Sequence, residues 1–272
     1  MSVKIALDAG HCLTTLGKRC DKNVDPNKTS EWWLNNRIAT YMEDELKNYD
    51  AEVMRVDDVT GKKDISHSAR CKAANTFGAD IYFSIHHNAA NKLFAGGGIV
   101  VYVWKKADAQ LLEWQKIVYD NLIAETCLKG NRATPLGKAN FDVLVKSNAQ
   151  AILVEHGFMN STVDTPIILT DEFARKCAKA NVKSLVEIFG LKEKEPKKET
   201  SGFKQYMIKV IKTPLNIRSG PGTNYPIVAK IQQYGTYTIV AEGKANSTKY
   251  PFGKLKSGVG WVSLSPSYVK KI

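Results

Sequence analysis

Four side chains in this sequence could do acid–base or metal chemistry together: the imidazoles of His11 and His86 and the carboxylates of Glu31 and Glu155. Two imidazoles and one carboxylate are the donor set of a catalytic zinc site, whose fourth position stays open to water. An ion held that way acidifies water and polarises a carbonyl, and a further carboxylate can move protons. Residue type alone leaves open which glutamate would bind and which would carry protons. A histidine beside a strand is more often a hydrogen-bonded structural group than a ligand, so position must carry the argument. His11 follows Asp8-Ala9-Gly10, and Glu31 opens a helical pattern. His86 ends the run Ser84-Ile85-His86, and Glu155 ends Ala151-Ile152-Leu153-Val154-Glu155.

Those positions depend on the surrounding elements. Apolar runs at Val3–Asp8, Glu52–Val56, Ile81–His86, Gly98–Val103 and Ala151–Glu155 predict strands. Residues 31–48 place Leu34, Ile38, Tyr41, Met42 and Leu46 on one side of a helix. Further helices are predicted at Ser66–Phe77, Asp108–Glu125 and Asp171–Phe189, the last capped by Asp171 and stopped by Gly190. Strands alternating with helices predict an α/β domain, a mostly parallel sheet flanked by helices. In such sheets functional groups collect at the carboxyl edge, where all four side chains are expected.

The chain has 272 residues, 39 Lys+Arg and 27 Asp+Glu, a formal charge of +12. With 43% hydrophobic and 24% charged residues it is globular in composition, which excludes a disordered chain. No apolar run reaches the roughly 20 residues of a membrane span. Its first residues lack the apolar core of a secretory signal, so synthesis in the cytoplasm is expected. The charge is unevenly placed. Residues 1–190 hold 24 basic and 23 acidic side chains, whereas residues 203–272 hold 11 and one. Between them, residues 191–202 are polar and broken by Pro196, and are expected to be a solvated linker. Residues 203–272 show short strand-like runs (Tyr206–Ile211, Tyr237–Val240, Val259–Ser263) separated by Pro, Gly and Asn, which predict a small all-β barrel. The sequence thus divides into 1–190, the linker, and 203–272.

The motifs in the first domain run in order: Asp8-Ala9-Gly10-His11, Glu31, Arg70-Cys71-Lys72-Ala73-Ala74-Asn75, Ser84-Ile85-His86-His87-Asn88-Ala89 and Leu153-Val154-Glu155-His156-Gly157-Phe158-Met159-Asn160. On these the region resembles the zinc-dependent N-acetylmuramoyl-L-alanine amidases of the Amidase_3 family. The resemblance implies one zinc ion on His11, Glu31 and His86, with Glu155 as the catalytic carboxylate. It implies hydrolysis of the amide joining N-acetylmuramic acid to L-alanine in peptidoglycan. Cys12-Leu13 stand where the family has Gly-Gly, so the loop over the site is expected to differ in shape.

Residues 203–272 resemble bacterial SH3-like wall-binding domains, on Leu215-Asn216-Ile217-Arg218-Ser219-Gly220-Pro221-Gly222 and Gly260-Trp261-Val262. This implies peptidoglycan and its anionic polymers as partners of the basic domain, with no nucleic acid and no membrane insertion. Tyr225, Tyr234, Tyr250 and Tyr268 could line a glycan or peptide groove. The whole reads as a wall hydrolase of the phage endolysin type, made in the cytoplasm and acting on the wall after release. A bacterial autolysin or spore-associated amidase is the alternative, and an inactive wall-binding protein is the non-enzymatic one. Five cysteines without a Cys-x-x-Cys pair argue against a disulfide framework. Cys12, beside His11, raises the rival chemistry of a cysteine nucleophile. His87 and His156 fall on the opposite faces of their strands from His86 and Glu155, and His67 is expected to be structural or solvated.

Overall fold

The computed structural model describes residues 2–194, 203–244 and 248–272. The chain divides into two compact units, Met1–Pro196 and Lys197–Ile272. In the first, β1 (Val3–Ala9), β2 (Ala51–Arg55), β3 (Ile81–Asn88), β4 (Ile99–Trp104), β5 (Leu136–Ala139) and β6 (Gln150–Phe158) form one sheet, ordered β2-β1-β3-β6-β4-β5. Every neighbouring pair is parallel except β4 with β6, which is antiparallel. The helices are α1 (Glu31–Leu46), α2 (His67–Phe77), α3 (Ala109–Thr126), α4 (Asp142–Lys146), α5 (Asp164–Ile168) and α6 (Asp171–Phe189).

The two faces of this sheet are covered unequally. On one, Ile5, Leu7, Phe83, Ile85, Ile152 and Val154 pack with apolar positions of α1, α3 and α6 in a large core. Each fully buried aliphatic or aromatic side chain there stabilises the layer by about 1.5–3 kcal/mol. On the other face Ala6, Val56, Tyr82, Ala151 and Leu153 form a smaller cluster with Cys71 and Ala74 of α2 and Val143 and Leu144 of α4. That thinner cover leaves the carboxyl edge of the strands open.

Local signals explain most of the boundaries. Ser30, extended, caps α1 by accepting the Trp33 N–H, and Glu31 in the first turn complements the helix dipole. Ser66 caps α2 in the same way. The cap of α6 differs from expectation. Thr170 accepts the Phe173 N–H, while Asp171 lies inside the first turn and pairs with Arg175. A hydroxyl one residue earlier competes successfully for the same orphan donors. Gly190 ends α6 in the left-handed conformation. The strands β3 and β6 also run past His86 and Glu155, so both residues sit within strands rather than at their last positions. At the start of the expected linker, Leu191 is buried with the first unit's core, and Lys192 and Lys194 exchange backbone hydrogen bonds with Asn48–Asp50. The rest of that segment, residues 195–202, lies outside the described residues.

The second unit contains β7 (Tyr206–Val210), β8 (Leu215–Arg218), β9 (Ile227–Ile231), β10 (Thr236–Gly243), β11 (Phe252–Leu255), β12 (Trp261–Ser263) and β13 (Val269–Lys271). They form one antiparallel sheet ordered β13-β7-β10-β11-β12-β8-β9. Ile208, Val210, Leu215, Ile217, Ile239, Leu255 and Val262 form its core. Alternation along β8 buries Leu215 and Ile217 and leaves Asn216 and Arg218 half-buried on the other side.

Candidate active site

Strand register builds the centre of the site. His86 on β3 and Glu155 on β6 are direct register partners, so their side chains stand side by side on the thinly covered face. His11 reaches the same place from the end of β1, where the Gly10 N–H still bonds to the Ile85 carbonyl at 3.0 Å. Glu31 arrives from the first turn of α1. Gly10 is sterically required: a Cβ there would lie 2.1 Å from Cε1 of the His86 ring. His11 itself has a φ of 68°, uncommon for a residue with a side chain. Arg70 holds that turn by donating to the carbonyls of Ala9 at 2.9 Å and His11 at 2.8 Å. Its guanidinium is paired with Asp8 at 2.6 Å, and Asp8 also accepts from the Tyr82 and Ser84 hydroxyls.

The donors converge. His86 Nδ1 lies 2.9 Å and His11 Nε2 3.3 Å from the same Glu31 oxygen, Oε1. One donor atom from each of the three residues falls within a 4.8 Å cluster that could hold a metal ion. The fit to a cation is supported by what these atoms lack. His11 Nε2 and Glu31 Oε2 are buried without hydrogen-bond partners, as is Glu155 Oε2. Buried polar atoms are rarely left unpaired, and three together at one place mark a site built for something else to occupy.

The titrations diverge in the way acid–base chemistry needs. Burial pushes the Glu155 carboxyl up to about 7, with His86 pulling against it and the Glu31 carboxylate adding to it. Glu31 is buried as well, but the imidazoles of His11 and His86 hold it well below the usual range. Burial lowers His11, whereas for His86 the same burial is outweighed by Glu31 and the group is raised. Two carboxyls in one pocket thus have opposite tendencies, one kept ionised and one poised to exchange a proton.

The pocket in front of them measures about 440 Å³ and is lined by the polar His11, His86, Glu155 and Lys18 and by the apolar Phe141, Val143 and Leu153. Lys18 Nζ lies 3.7 Å from Glu31 Oε2. His67 also lines this pocket; its ring is exposed and 3.6 Å from Asp142.

Behind the site lies a buried polar layer. Asn35, one turn after Glu31 on α1, accepts from His87 Nδ1 at 2.8 Å and donates to the Gly10 carbonyl at 3.2 Å. It therefore ties together the segments carrying His11, Glu31 and His86. His156 Nδ1 donates to the His86 carbonyl at 3.2 Å, and Asn181 on α6 donates to His156 Nε2 at 3.0 Å. These partners fix each ring in its Nδ1–H tautomer. Burial lowers both, His87 well below the usual range and His156 to about 4, so both are neutral. His87 and His156 do face away from the pocket, into the large core. Cys12 is 1% exposed, its sulfur 3.3 Å from the hydroxyls of Thr14 and Thr15. Among its described partners there is no imidazole to activate it. All five cysteines are free.

Several of these residues escaped sequence reasoning. Asn35 carried a signal, four residues after Glu31 on the same helical face. Asn181 carried one too, a polar residue inside the apolar stripe of α6. Phe141 precedes a five-residue helix, α4, too short to show periodicity.

Comparison with known proteins settles the family. The family model for Amidase_3, N-acetylmuramoyl-L-alanine amidase, matches residues 5–187. The chain belongs to this family. A sporulation-specific N-acetylmuramoyl-L-alanine amidase of Bacillus subtilis is 28% identical over 219 residues, covering 80% of this chain and 78% of that protein. An endolysin of Bacillus phage SPP1 is 27% identical over 136 residues, covering 48% and 49% respectively. Among solved structures, an N-acetylmuramoyl-L-alanine amidase from Clostridium difficile 630 superposes with a TM-score of 0.61 at 24% identity, covering 68% of this chain and 96% of that one. That likeness establishes the amidase fold. Within this amidase the matched region contains His11, Glu31, His86 and Glu155 and the whole layer behind them.

Proposed function

We propose that the chain cleaves the amide between the lactyl group of N-acetylmuramic acid and L-alanine in peptidoglycan, with one zinc ion held by His11, Glu31 and His86. The observation that carries this is the convergence of three donor atoms beside Glu155, a buried carboxyl raised to about 7 with an oxygen lacking any partner. A zinc ion held there supplies Lewis acidity to the scissile carbonyl and to water. Glu155 accepts a proton from the attacking water at Oε2 and returns it to the departing alanine nitrogen, a shuttle suited to a carboxyl poised near neutrality. Its register partner His86 fixes where that carboxyl stands relative to the donors. Phe141, Val143 and Leu153 form an apolar wall that shields the reacting amide from bulk water. Arg70 and Asn35 hold the backbone on either side of His11, so the donors need no rearrangement.

The second unit is read as an SH3-like wall-binding module, supported by its antiparallel sheet and its excess of basic side chains. Anionic wall polymers are its expected surroundings, and the wall after release from the cytoplasm is the expected place of action. Similarity to a phage endolysin supports the lysin reading. Similarity to a sporulation-specific amidase favours a spore-associated enzyme as the second.

The test is lysis of purified cell walls followed by turbidity, with release of new alanine amino termini. A chelator should stop both, and added zinc should restore them. Glu155→Ala should abolish turnover yet retain zinc, whereas His86→Ala should lose both. Near-normal lysis by Glu155→Ala would overturn the assignment.

A further inference from the structure

We propose that the groove of the second unit bounded by Arg218, Tyr250 and Tyr268 binds the free carboxylate end of a short wall peptide. This rests on reading the unit as a wall-binding module and names what the module holds. The groove encloses about 290 Å³ and is lined among others by Asn216, Arg218, Lys249, Tyr250, Phe252 and Tyr268. Ligand pockets run from roughly 300 Å³ upward, so this one accepts a chain end rather than a length of polymer.

Its chemistry is one-sided. No carboxylate side chain lines it. Across residues 203–272 the single acidic side chain is Glu242, and it is engaged elsewhere by the Tyr206 hydroxyl at 2.6 Å. Arg218 is held rigidly. Its Nη1 donates to the carbonyls of Thr223 at 3.0 Å and Tyr225 at 2.7 Å, both in the turn that follows β8. Among the described residues Nε and Nη2 have no acceptor. A planar guanidinium anchored through Nη1 in the groove it lines, with Nε and Nη2 left for a ligand, suits a carboxylate in geometry as well as charge. Asn216, two residues earlier on the same side of β8, adds an amide to the same groove.

The aromatic walls complete the match. Lys249 Nζ sits 5.4 Å from the centre of the Tyr250 ring, and Lys212 Nζ 5.6 Å from that of Tyr268. The rings offer apolar surface for alanine methyl groups in a positive field. Of the four tyrosines singled out from the sequence, Tyr250 and Tyr268 line the groove. Tyr225 and Tyr234 do not, although Tyr234 is 69% exposed.

The experiment titrates the full chain, followed by NMR, with D-alanyl-D-alanine as the free acid and as its C-terminal amide. The acid should shift resonances of Arg218, Tyr250 and Tyr268, and the amide should not. Tyr250→Ala and Arg218→Lys should each weaken binding of the acid by about tenfold, because loss of a wall or of the bidentate fork removes a defined contact. Tyr234→Ala should bind as the parent. If Arg218→Lys loses the fold of the unit, Tyr250→Ala carries the test alone. Equal binding of acid and amide, unchanged binding by a folded Tyr250→Ala, or shifts elsewhere would overturn the proposal. So would tighter binding of glycerol phosphate in the groove, which would assign it to a phosphate polymer. Retention of the parent on purified cell walls separates the two readings. Retention without dipeptide binding defeats this inference alone, while absence of retention defeats the wall-binding reading on which it rests.

Discussion

The amidase pocket and the groove of the second unit handle charge in opposite ways. In the pocket, carboxylates and imidazoles are buried against one another, and the buried Asp8–Arg70 pair sits directly beneath. Burial raises the Glu155 carboxyl, whereas at Glu31 the imidazoles of His11 and His86 outweigh the same burial and hold the group low. In the second unit, basic side chains are spread over the surface with almost no acid to answer them. Spread like charges of that kind give attraction to a polyanion that reaches about a Debye length and is screened by salt. On the proposed reading of the second unit, reaction and retention are separable, because one depends on desolvated charge at fixed distances and the other on net charge.

The strongest way to break that contrast is at Glu155. Glu155→Gln keeps shape but cannot shuttle a proton, and turnover on a soluble muropeptide should fall by about 10²–10⁴ while wall binding stays unchanged. Equal losses in both would mean the pocket also provides retention. Next comes Asp8. Asp8→Asn leaves Arg70 buried without its partner and should cost about 3–5 kcal/mol in the first unit's urea unfolding. Burial tends to raise the Asp8 carboxyl, but Arg70 outweighs it and the net position is below 3.8. The stabilisation by Asp8 is then complete above that value and is lost as pH falls through the lower folded one. Parent stability should thus drop in strong acid, and the Asp8→Asn curve should be flatter over that range. A parallel pair of curves would show that Asp8 does not titrate as described.

A smaller effect is expected behind the donors. Asn35→Ala strands the Gly10 carbonyl and His87 Nδ1–H, and zinc affinity should fall about 10–100-fold in competition with a chromogenic chelator. Unchanged affinity would reduce the polar layer to packing. The mildest prediction concerns salt. Raising sodium chloride from low concentration to about 0.5 M shortens the screening length severalfold, so wall retention should weaken by a few-fold while hydrolysis of a soluble fragment is unaffected. Salt-insensitive retention would leave the basic surface as a solubility device.

Much of this arrangement was legible in the sequence because it follows from strand alternation and helical periodicity. The pairing of His86 with Ser84 on one face, and of His87 and His156 on the other, follows from a period of two. The helix that presents Glu31 is announced by apolar positions every three or four residues, while its cap Ser30 is identified only by the fold. Other features depend on contacts distant in sequence. The register that sets His86 opposite Glu155 joins residues 69 positions apart, and only the folded sheet defines it. β5, α4 and α5 are four or five residues long, too short for a hydrophobic period, yet one of them supplies part of the pocket wall. The antiparallel run of β4 also escaped notice, because an apolar strand reads the same in either direction.

The unequal cover of the first sheet has a consequence for how such an enzyme can change. Its thick layer, made by α1, α3 and α6, supports the donors and tolerates little alteration. The thin layer ends in the short α4 and in Phe141, 41% exposed at the mouth of the pocket. Exchanging that segment would reshape the surface met by an incoming glycan or peptide while leaving the reactive groups where they are. The fold thus sets His86 and Glu155 on the strands and the α4 segment over them on the same face, so that selection or engineering can revise the cover without rebuilding the sheet that holds the reactive groups.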